Sequence, residues 1–590
     1  MSRFFRVAAA TPALKPGNVA HNLTEIKNCI LNARKGGVEL LVLPELCLTG
    51  CSCGDLLMCD TITDAVQNAL SDLARLSDGI AFIVGAPLIA TDGDLRDCAC
   101  LFADKQLRGI VVRQKLPRPD YFSRVRLFST DPATFDVMNT HYDAHSDATF
   151  DINGTQVAIS VGPDAPDVKA DVICLLDAAP AFVGSADERM YTVCKTSQAL
   201  KTPLIYASAS ADESTADFVC SGQLIISNGK PLAATHGYVC SNDFITADID
   251  LGVIRDDELS APDRTTDARY PFIPANMGDT ALQILEIQST ALAHRLKLTG
   301  CRPVIGVSGG LDSTMALLVA VCAVEKLGRP ASDVLGITMP CFGTSGDTFN
   351  NSLTLMRELG VESRTIRIGD SVKQHLLDIG HADNVFDAAY ENAQARERTQ
   401  VLMDVANMVG GIVIGTGDLS ELALGWCTYN GDQMSMYSVN TSLPKTLIQR
   451  TVRALSATDR FSGAAKTLLA VVDQPISPEL LPPDAKNGKI AQKTEDIVGP
   501  YELHDFFIYH LLKNRYSQQK IFESACAAFG DSYDENTIKK WLTVFFRRFF
   551  TQQFKRSCSP DGVCVQPLNL SPRIGWSVPS DVDGHSFGMQ

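Results

Sequence analysis

Between residues 302 and 328 a buried-strand pattern, RPVIGV, runs through Ser308-Gly309-Gly310-Leu311-Asp312-Ser313-Thr314 into an apolar helix, STMALLVAVCAVEKLG. Few folds accept a strand that turns through two glycines straight into a helix. DVLGITMP, SRTIRIGD and GIVIGTGD repeat the strand-then-turn pattern downstream. Such alternation predicts a parallel, doubly wound sheet with ligands at the carboxyl ends of its strands.

The turn has the layout of a phosphate cradle. Gly309 and Gly310 permit close backbone approach, and the amides and dipole of the following helix favour anions. Ser308, Ser313 and Thr314 add hydroxyl donors. The GxxxxGK[ST] pattern is absent, so transfer of a terminal phosphate is not indicated. Asp312 is informative because a carboxylate repels phosphate unless a cation lies between them, which points to Mg²⁺ on a pyrophosphate. The other reading of the same residues is a tight turn with Asp312 capping a helix.

A chain of 590 residues exceeds one core, since single domains stop growing near about 250–300 residues. Residues 1–250 alternate short strands and helices. They include two hairpin patterns, with Asp104-Lys105 and Asn228-Gly229 at the turns, and a helix ending at the Gly36-Gly37 pair. Residues 251–275 are rich in proline and charge and read as a linker. Residues 276–590 form the second domain, starting with a helix over about 279–298 and ending in a helical, aromatic-rich tail from about 500. A net charge of −16 argues against a nucleic-acid surface. No apolar run reaches the roughly 18 residues of a membrane span, and MSRFFRVAAATPAL reads as a first buried strand. The 18 cysteines include no C-x-x-C, and many sit in apolar segments, as Cys174, Cys322 and Cys526 do. They are expected to be reduced, packed thiols in a cytoplasmic protein without zinc.

The glycine loop resembles the signature of the ATP pyrophosphatase superfamily, which adenylates carbonyl oxygens. GTGDLSELALGWCTYNGDQMSMYSVN at 415–440, PKTLIQ at 444–449, YENAQARER at 390–398 and QFKRSCSP at 553–560 resemble NAD synthetases. The resemblance implies that Gly306, Val307, Ser308, Gly309, Gly310, Leu311, Asp312, Ser313 and Thr416 contact ATP. It implies that Asp312 and Glu421 hold Mg²⁺, and that Asn392, Glu421, Trp426, Cys427, Thr428, Tyr429 and Lys555 contact deamido-NAD. Asp432 and Lys445 fall in matching segments. The implied reaction joins deamido-NAD, ATP and ammonia into NAD, AMP and pyrophosphate through an adenylated intermediate. Trp426 and Tyr429 offer ring faces for stacking, and Lys555 a point charge. Glu421 lies three residues after Asp418 at a helix start, so one carboxylate can cap while the other binds metal.

The first domain resembles the nitrilase-type glutaminase domain, an α-β-β-α fold, in LVLPELCLTG at 41–50 and VGAPL at 84–88. That family uses a Glu–Lys–Cys triad, in which Cys attacks the glutamine amide, Glu is the base and Lys stabilises the oxyanion. Glu45 matches the glutamate. VRQKLPRP places Arg113 at the lysine, with Lys115 two residues away, and VAISVGPDAPD places Gly162 at the cysteine. Pro163 stands at the following acid, leaving only Asp164. Pro119, Ala179 and Ser185 also depart from the family's tyrosine, serine and arginine. A glycine cannot form a thioester, so the domain is expected to be a pseudo-glutaminase and a scaffold for a homo-oligomer. Ammonia would then be free or come from a glutaminase partner in trans. The alternatives are a glutamine-dependent enzyme whose nucleophile lies elsewhere, such as Cys47, and a non-catalytic nucleotide-binding regulator.

Overall fold

Left-handed backbone at Asp104 and Lys105, with φ of 53° and 64°, turns Leu95–Ala103 back onto Gln106–Val112. Asn228-Gly229 likewise sits in the turn between Leu224–Ser227 and Pro231–Ala234. The helix Val19–Lys35 ends at Gly36, and the left-handed residue is its neighbour Gly37, at φ 68°. These features come from a computed structural model that describes residues 3–115, 128–263, 265–344, 346–382, 384–475, 480 and 494–584. The chain divides into two compact units, Met1–Asp263 and Arg264–Gln590.

In the first unit, one six-stranded sheet runs in the order Asp243–Asp250, Phe4–Thr11, Leu40–Val42, Ala81–Ile89, Leu95–Ala103, Gln106–Val112. The other runs Pro231–Ala234, Leu224–Ser227, Leu204–Ser208, Val172–Asp177, Thr155–Val161, Thr149–Ile152. The two-residue period of a strand sorts the side chains. Val7, Ala9, Leu40 and Val42 of the first sheet share one core with Ile159, Cys174, Leu176 and Ile205 of the second. Ala8, Ala10, Leu41 and Phe82 face the other way, against Ile26 and Ile30 of the helix Val19–Lys35 and Leu70 and Leu73 of Asp60–Leu76. Outside the second sheet, Ala158, Ile173 and Tyr206 meet Val193 of the helix Ser185–Leu200. The layers are α-β-β-α.

In the second unit a parallel sheet runs Glu362–Thr365, Leu335–Thr338, Arg302–Gly306, Gly411–Gly415, Tyr437–Ser438. The chain builds outward from Arg302–Gly306 on one side, then returns to add strands on the other. This reversal makes the end of that strand the switch point where doubly wound sheets bind ligands. The helix Leu311–Lys326 behind it is buried on all sides from Ser313 to Val324, which its lack of a polar face requires. Part of the stretch that reads as linker is built into this unit. Thr266–Asp267 and Tyr270–Pro274 form a hairpin, the Arg450 guanidinium lies 4.1 Å from the Tyr270 ring centre, and the Tyr270 hydroxyl donates to Glu502 at 2.6 Å.

The tail helices Tyr501–Leu512, Gln518–Phe529 and Glu535–Thr551 enclose an aromatic cluster. His504 is buried there against Phe507 and Phe545, with Nε2 2.6 Å from the Val498 carbonyl oxygen. Burial drops its pKa from 6.5 to about 4. The unfolded chain takes up a proton that the folded one refuses, so stability is present above pH 6.5 and lost as pH falls toward 4. At one unit per 1.36 kcal/mol, this amounts to about 3 kcal/mol. Urea unfolding of the second unit at stepped pH is expected to show that slope, and His504→Asn to flatten it. An unchanged slope in the variant would assign it to another group.

Candidate active site

Backbone geometry fixes the glycine loop. Gly309 has φ 86°, and a Cβ there would lie 2.1 Å from the Thr348 carbonyl oxygen, so only glycine fits. Gly310 caps the helix Leu311–Lys326, whose first amides have no intrahelical acceptor. The Ser308 hydroxyl accepts from the Gly310 amide at 3.2 Å and lies 3.1 Å from that of Ser313. Asn440 stitches this loop to the next. Its amide nitrogen donates to the Asp312 carbonyl at 3.1 Å and to the Thr416 carbonyl at 3.0 Å.

Beside the loop lies a cluster the sequence did not reveal. Lys445 begins the helix Lys445–Ser456 and is buried. Its Nζ lies 2.6 Å from Asp312 Oδ2, 2.6 Å from Asp418 Oδ2 and 2.9 Å from Glu421 Oε1. The Tyr501 ring centre is 5.4 Å away. Asp418 also caps the helix Leu419–Leu424, accepting from the Glu421 amide at 2.8 Å. Burial raises the pKa of Asp418 well above its usual range and that of Glu421 to about 7, against the pull of Lys445. Burial also works against the lysine charge, but the three carboxylates outweigh it and hold its pKa above the ordinary value. One oxygen from each of Asp312, Asp418 and Glu421 lies within 4.8 Å of the others, and among the described residues this is the group that could hold a metal. Three hard oxygen donors suit Mg²⁺. Asp312 and Glu421, read as ligands from the sequence, are together, and Asp418 joins them.

Two cavities open from the loop. One, of about 230 Å³, is lined by Gly306, Val307, Ser308, Ser313 and Thr416, together with Thr338, Met339 and Leu402. The other, of about 500 Å³, is lined by Gly310, Leu311 and Asp312 and by Asn392, Glu421, Trp426, Cys427, Thr428 and Lys555. Ser308, Arg398 and Asp432 line both. Asp432 also borders a third cavity of about 60 Å³, with Thr416, Glu421 and Cys427. The wall is tightly bonded. Thr428 donates its hydroxyl to Asn392 at 2.7 Å and its amide to Asp432 at 2.7 Å, and Lys555 donates to the carbonyls of Gly425 and Cys427 at 2.8 and 2.7 Å. The Arg548 guanidinium lies 5.2 Å from the Trp426 ring centre. Tyr429 does not line these cavities; it is exposed, with its ring 5.4 Å from that of Phe554.

In the first unit, Glu45, Arg113 and Gly162 come together. Arg113 is buried, paired with Glu45 and, at 3.0 Å, with Asp97, and its Nε donates to the Lys115 carbonyl at 2.9 Å. Gly162 has φ 109°, and a Cβ there would stand 3.3 Å from Arg113 Nη2. Burial pushes both carboxylates upward, Glu45 well above its usual value. The Arg113 charge pulls both the other way, and like-charge repulsion from Asp97 adds to the rise at Glu45. Lys115 is exposed, 3.8 Å from Asp164. Cys47 points its thiol at the Gly85 carbonyl in the core under the helices, and Cys174 lies between the sheets. Ala179 donates its amide to Ser208, and the Ser185 hydroxyl accepts from the Phe182 amide. Pro119 lies outside the described residues. Asp97 went unread in the sequence, where it follows Arg96 at the start of an otherwise apolar strand.

Residues 286–528 match the NAD synthase family and residues 6–162 the carbon–nitrogen hydrolase family. The glutamine-dependent NAD(+) synthetase of Mycobacterium tuberculosis is 34% identical, over 98% of this chain and 96% of its own. That of Synechocystis is 27% identical, over 98% of each chain. Among solved structures, the glutamine-dependent NAD(+) synthetase of Cytophaga hutchinsonii superposes with a TM-score of 0.81 at 19% identity, covering 99% of both chains. That of Acinetobacter baumannii, in complex with ADP, gives 0.66 at 21% identity, covering 98% of this chain and 96% of the other. Fold and family thus define an ATP-dependent ligase of the NAD synthase class, carrying a nitrilase-type domain ahead of the synthase. The chain belongs to the family of two-domain glutamine-dependent NAD(+) synthetases. Among the described residues no helix is long and apolar enough to cross a membrane.

Proposed function

We propose that the second unit amidates deamido-NAD with ATP and ammonia. The observation that carries this reading is the meeting of the two larger cavities at Ser308, Arg398 and Asp432. ATP would lie on Gly306–Ser313 and Thr416, and the nicotinate end of deamido-NAD among Asn392, Trp426, Cys427, Thr428 and Lys555. The nicotinate carboxylate attacks the α-phosphorus and pyrophosphate leaves. The lone pair of ammonia then attacks the acyl carbon, and AMP leaves. Asp432, common to all three cavities, takes the proton that the nitrogen sheds; burial raises its pKa above the ordinary carboxylate value, which makes it a better proton acceptor. Asp312, Glu421 and Asp418 would hold Mg²⁺, which supplies charge neutralisation for the pyrophosphate. The chain's own part is to position reactants and exclude water.

We further propose that the first unit releases no ammonia from glutamine. The meeting of Glu45 and Arg113 with Gly162 supports this, because the position facing the guanidinium carries no side chain. Ammonia would enter free or from a partner glutaminase. The names of the relatives favour a second reading, glutamine dependence through another nucleophile. Purified protein given ATP and deamido-NAD is expected to form NAD with ammonium and to stay at background with glutamine. Glutamate release matching ammonium-fed turnover would overturn the pseudo-glutaminase, and no turnover with either would overturn the ligase reading.

A further inference from the structure

The position of the Lys445 ammonium is itself informative. It lies 2.6, 2.6 and 2.9 Å from oxygens of three carboxylates, and one oxygen from each of these carboxylates lies within 4.8 Å of the others. Oxygen ligands surround divalent cations at about 2.0–2.6 Å, so a second cation cannot share that centre. Three carboxylates converging in a buried pocket repel one another unless a positive charge sits among them. Among the described residues, Asp312 Oδ1, the oxygen not used by the lysine, has no hydrogen-bond partner although that atom is shielded from solvent.

We propose that Lys445 is a built-in placeholder for the divalent cation. Its ammonium occupies the common centre of Asp312, Asp418 and Glu421 and keeps them converged. A divalent cation held by these three carboxylates would have to displace it. Cation binding is therefore a competition between an ion in solution and one tethered to the chain, and the tethered ion lowers the affinity for free metal. The lysine is thus a positioning residue for the ligands. This inference rests on the reading of those three carboxylates as the metal site.

Calorimetric titration with Mn²⁺ alone, without nucleotide, tests it on the full chain and on Lys445→Met. Removing the tethered competitor is expected to tighten Mn²⁺ binding by at least about tenfold. A variant that binds no tighter than the natural protein would overturn the placeholder. Met leaves three buried carboxylates unpaired, so thermal unfolding of the variant is followed with and without Mn²⁺. Folding rescued by Mn²⁺ supports the exchange of one cation for the other. A variant that stays unfolded at saturating Mn²⁺ overturns it, because the metal then cannot take the lysine's place. Titration of the natural protein with Mn²⁺ and a non-hydrolysable ATP analogue separates the two levels: no Mn²⁺ bound there would sink the metal site itself, whereas binding there with no gain in Lys445→Met sinks only the placeholder.

Discussion

Asp312→Ala, fed saturating ammonium, ATP and deamido-NAD, is expected to lose at least about 10²–10³-fold in the rate of AMP and pyrophosphate formation, while remaining folded. The physical reason is charge. Asp312 stands in the first turn of the helix Leu311–Lys326, where its carboxylate would repel a bound phosphate unless a cation lay between them. Its Oδ2 is one of three oxygens gathered around Lys445, and Ala removes it from any metal shell built there. The fold should survive, because Asp418 and Glu421 still neutralise the lysine at 2.6 and 2.9 Å and the loop is held by Asn440 through the Asp312 backbone carbonyl. Asp312→Asn keeps the shape and loses only the charge, so it should fall nearly as far as Ala. Ammonium bypasses the first unit, so the assay reads the synthetase site alone. Normal turnover of Asp312→Ala with Mg²⁺-ATP would show that this carboxylate is a helix cap and no more.

How far the sequence reached depends on the range of the interactions concerned. The glycine loop, the parallel strands and the two hairpins were legible because each is set within a few residues: by φ at Gly309, by unbroken apolar runs, and by Asp104-Lys105. The switch point followed from the order of those runs. The cluster around Lys445 was not legible as a cluster. It joins residues 312, 418, 421 and 445, which share no periodicity, and Asp418 had a sufficient local explanation as a cap. The hairpin at Thr266–Pro274 was missed for the same reason. It is a short pairing held by Arg450 and Glu502, nearly two hundred residues and more away along the chain. In the first unit, Glu45 was visible in its segment and Arg113 and Gly162 as departures from a pattern. Asp97 was hidden because the backbone amide of Arg113 bonds its carbonyl across neighbouring strands, a register that sequence alone does not give.

That same pairing makes Arg113→Met the variant expected to cost most in stability. Arg113 is buried and neutralises Glu45 and Asp97, and among the described residues each of those acids retains a buried oxygen without a hydrogen-bond partner. Removing the guanidinium strands two acids in the interior, a change of about 3–5 kcal/mol. For a unit of this size that is on the order of 10 °C in the melting temperature. The sign of the pH dependence follows from the direction of the shifts. Burial raises both acids above their unfolded values of 4.5 and 3.8, and without the arginine that rise is larger. Stability from a raised carboxylate is present below the unfolded value and lost as pH rises through the folded one. The gap between natural protein and variant should therefore be smallest at acidic pH and widest near neutrality. The triple variant Arg113→Met/Glu45→Gln/Asp97→Asn should close most of it, since neutral amides need no counter-ion. Arg113→Lys should recover only part, because one ammonium cannot reproduce the fork that reaches Glu45, Asp97 and the Lys115 carbonyl together. A gap that ignored pH would mean Arg113 matters for packing alone. A gap that follows the carboxylates would mean that the charges of a hydrolase site have been retained as a structural ion pair.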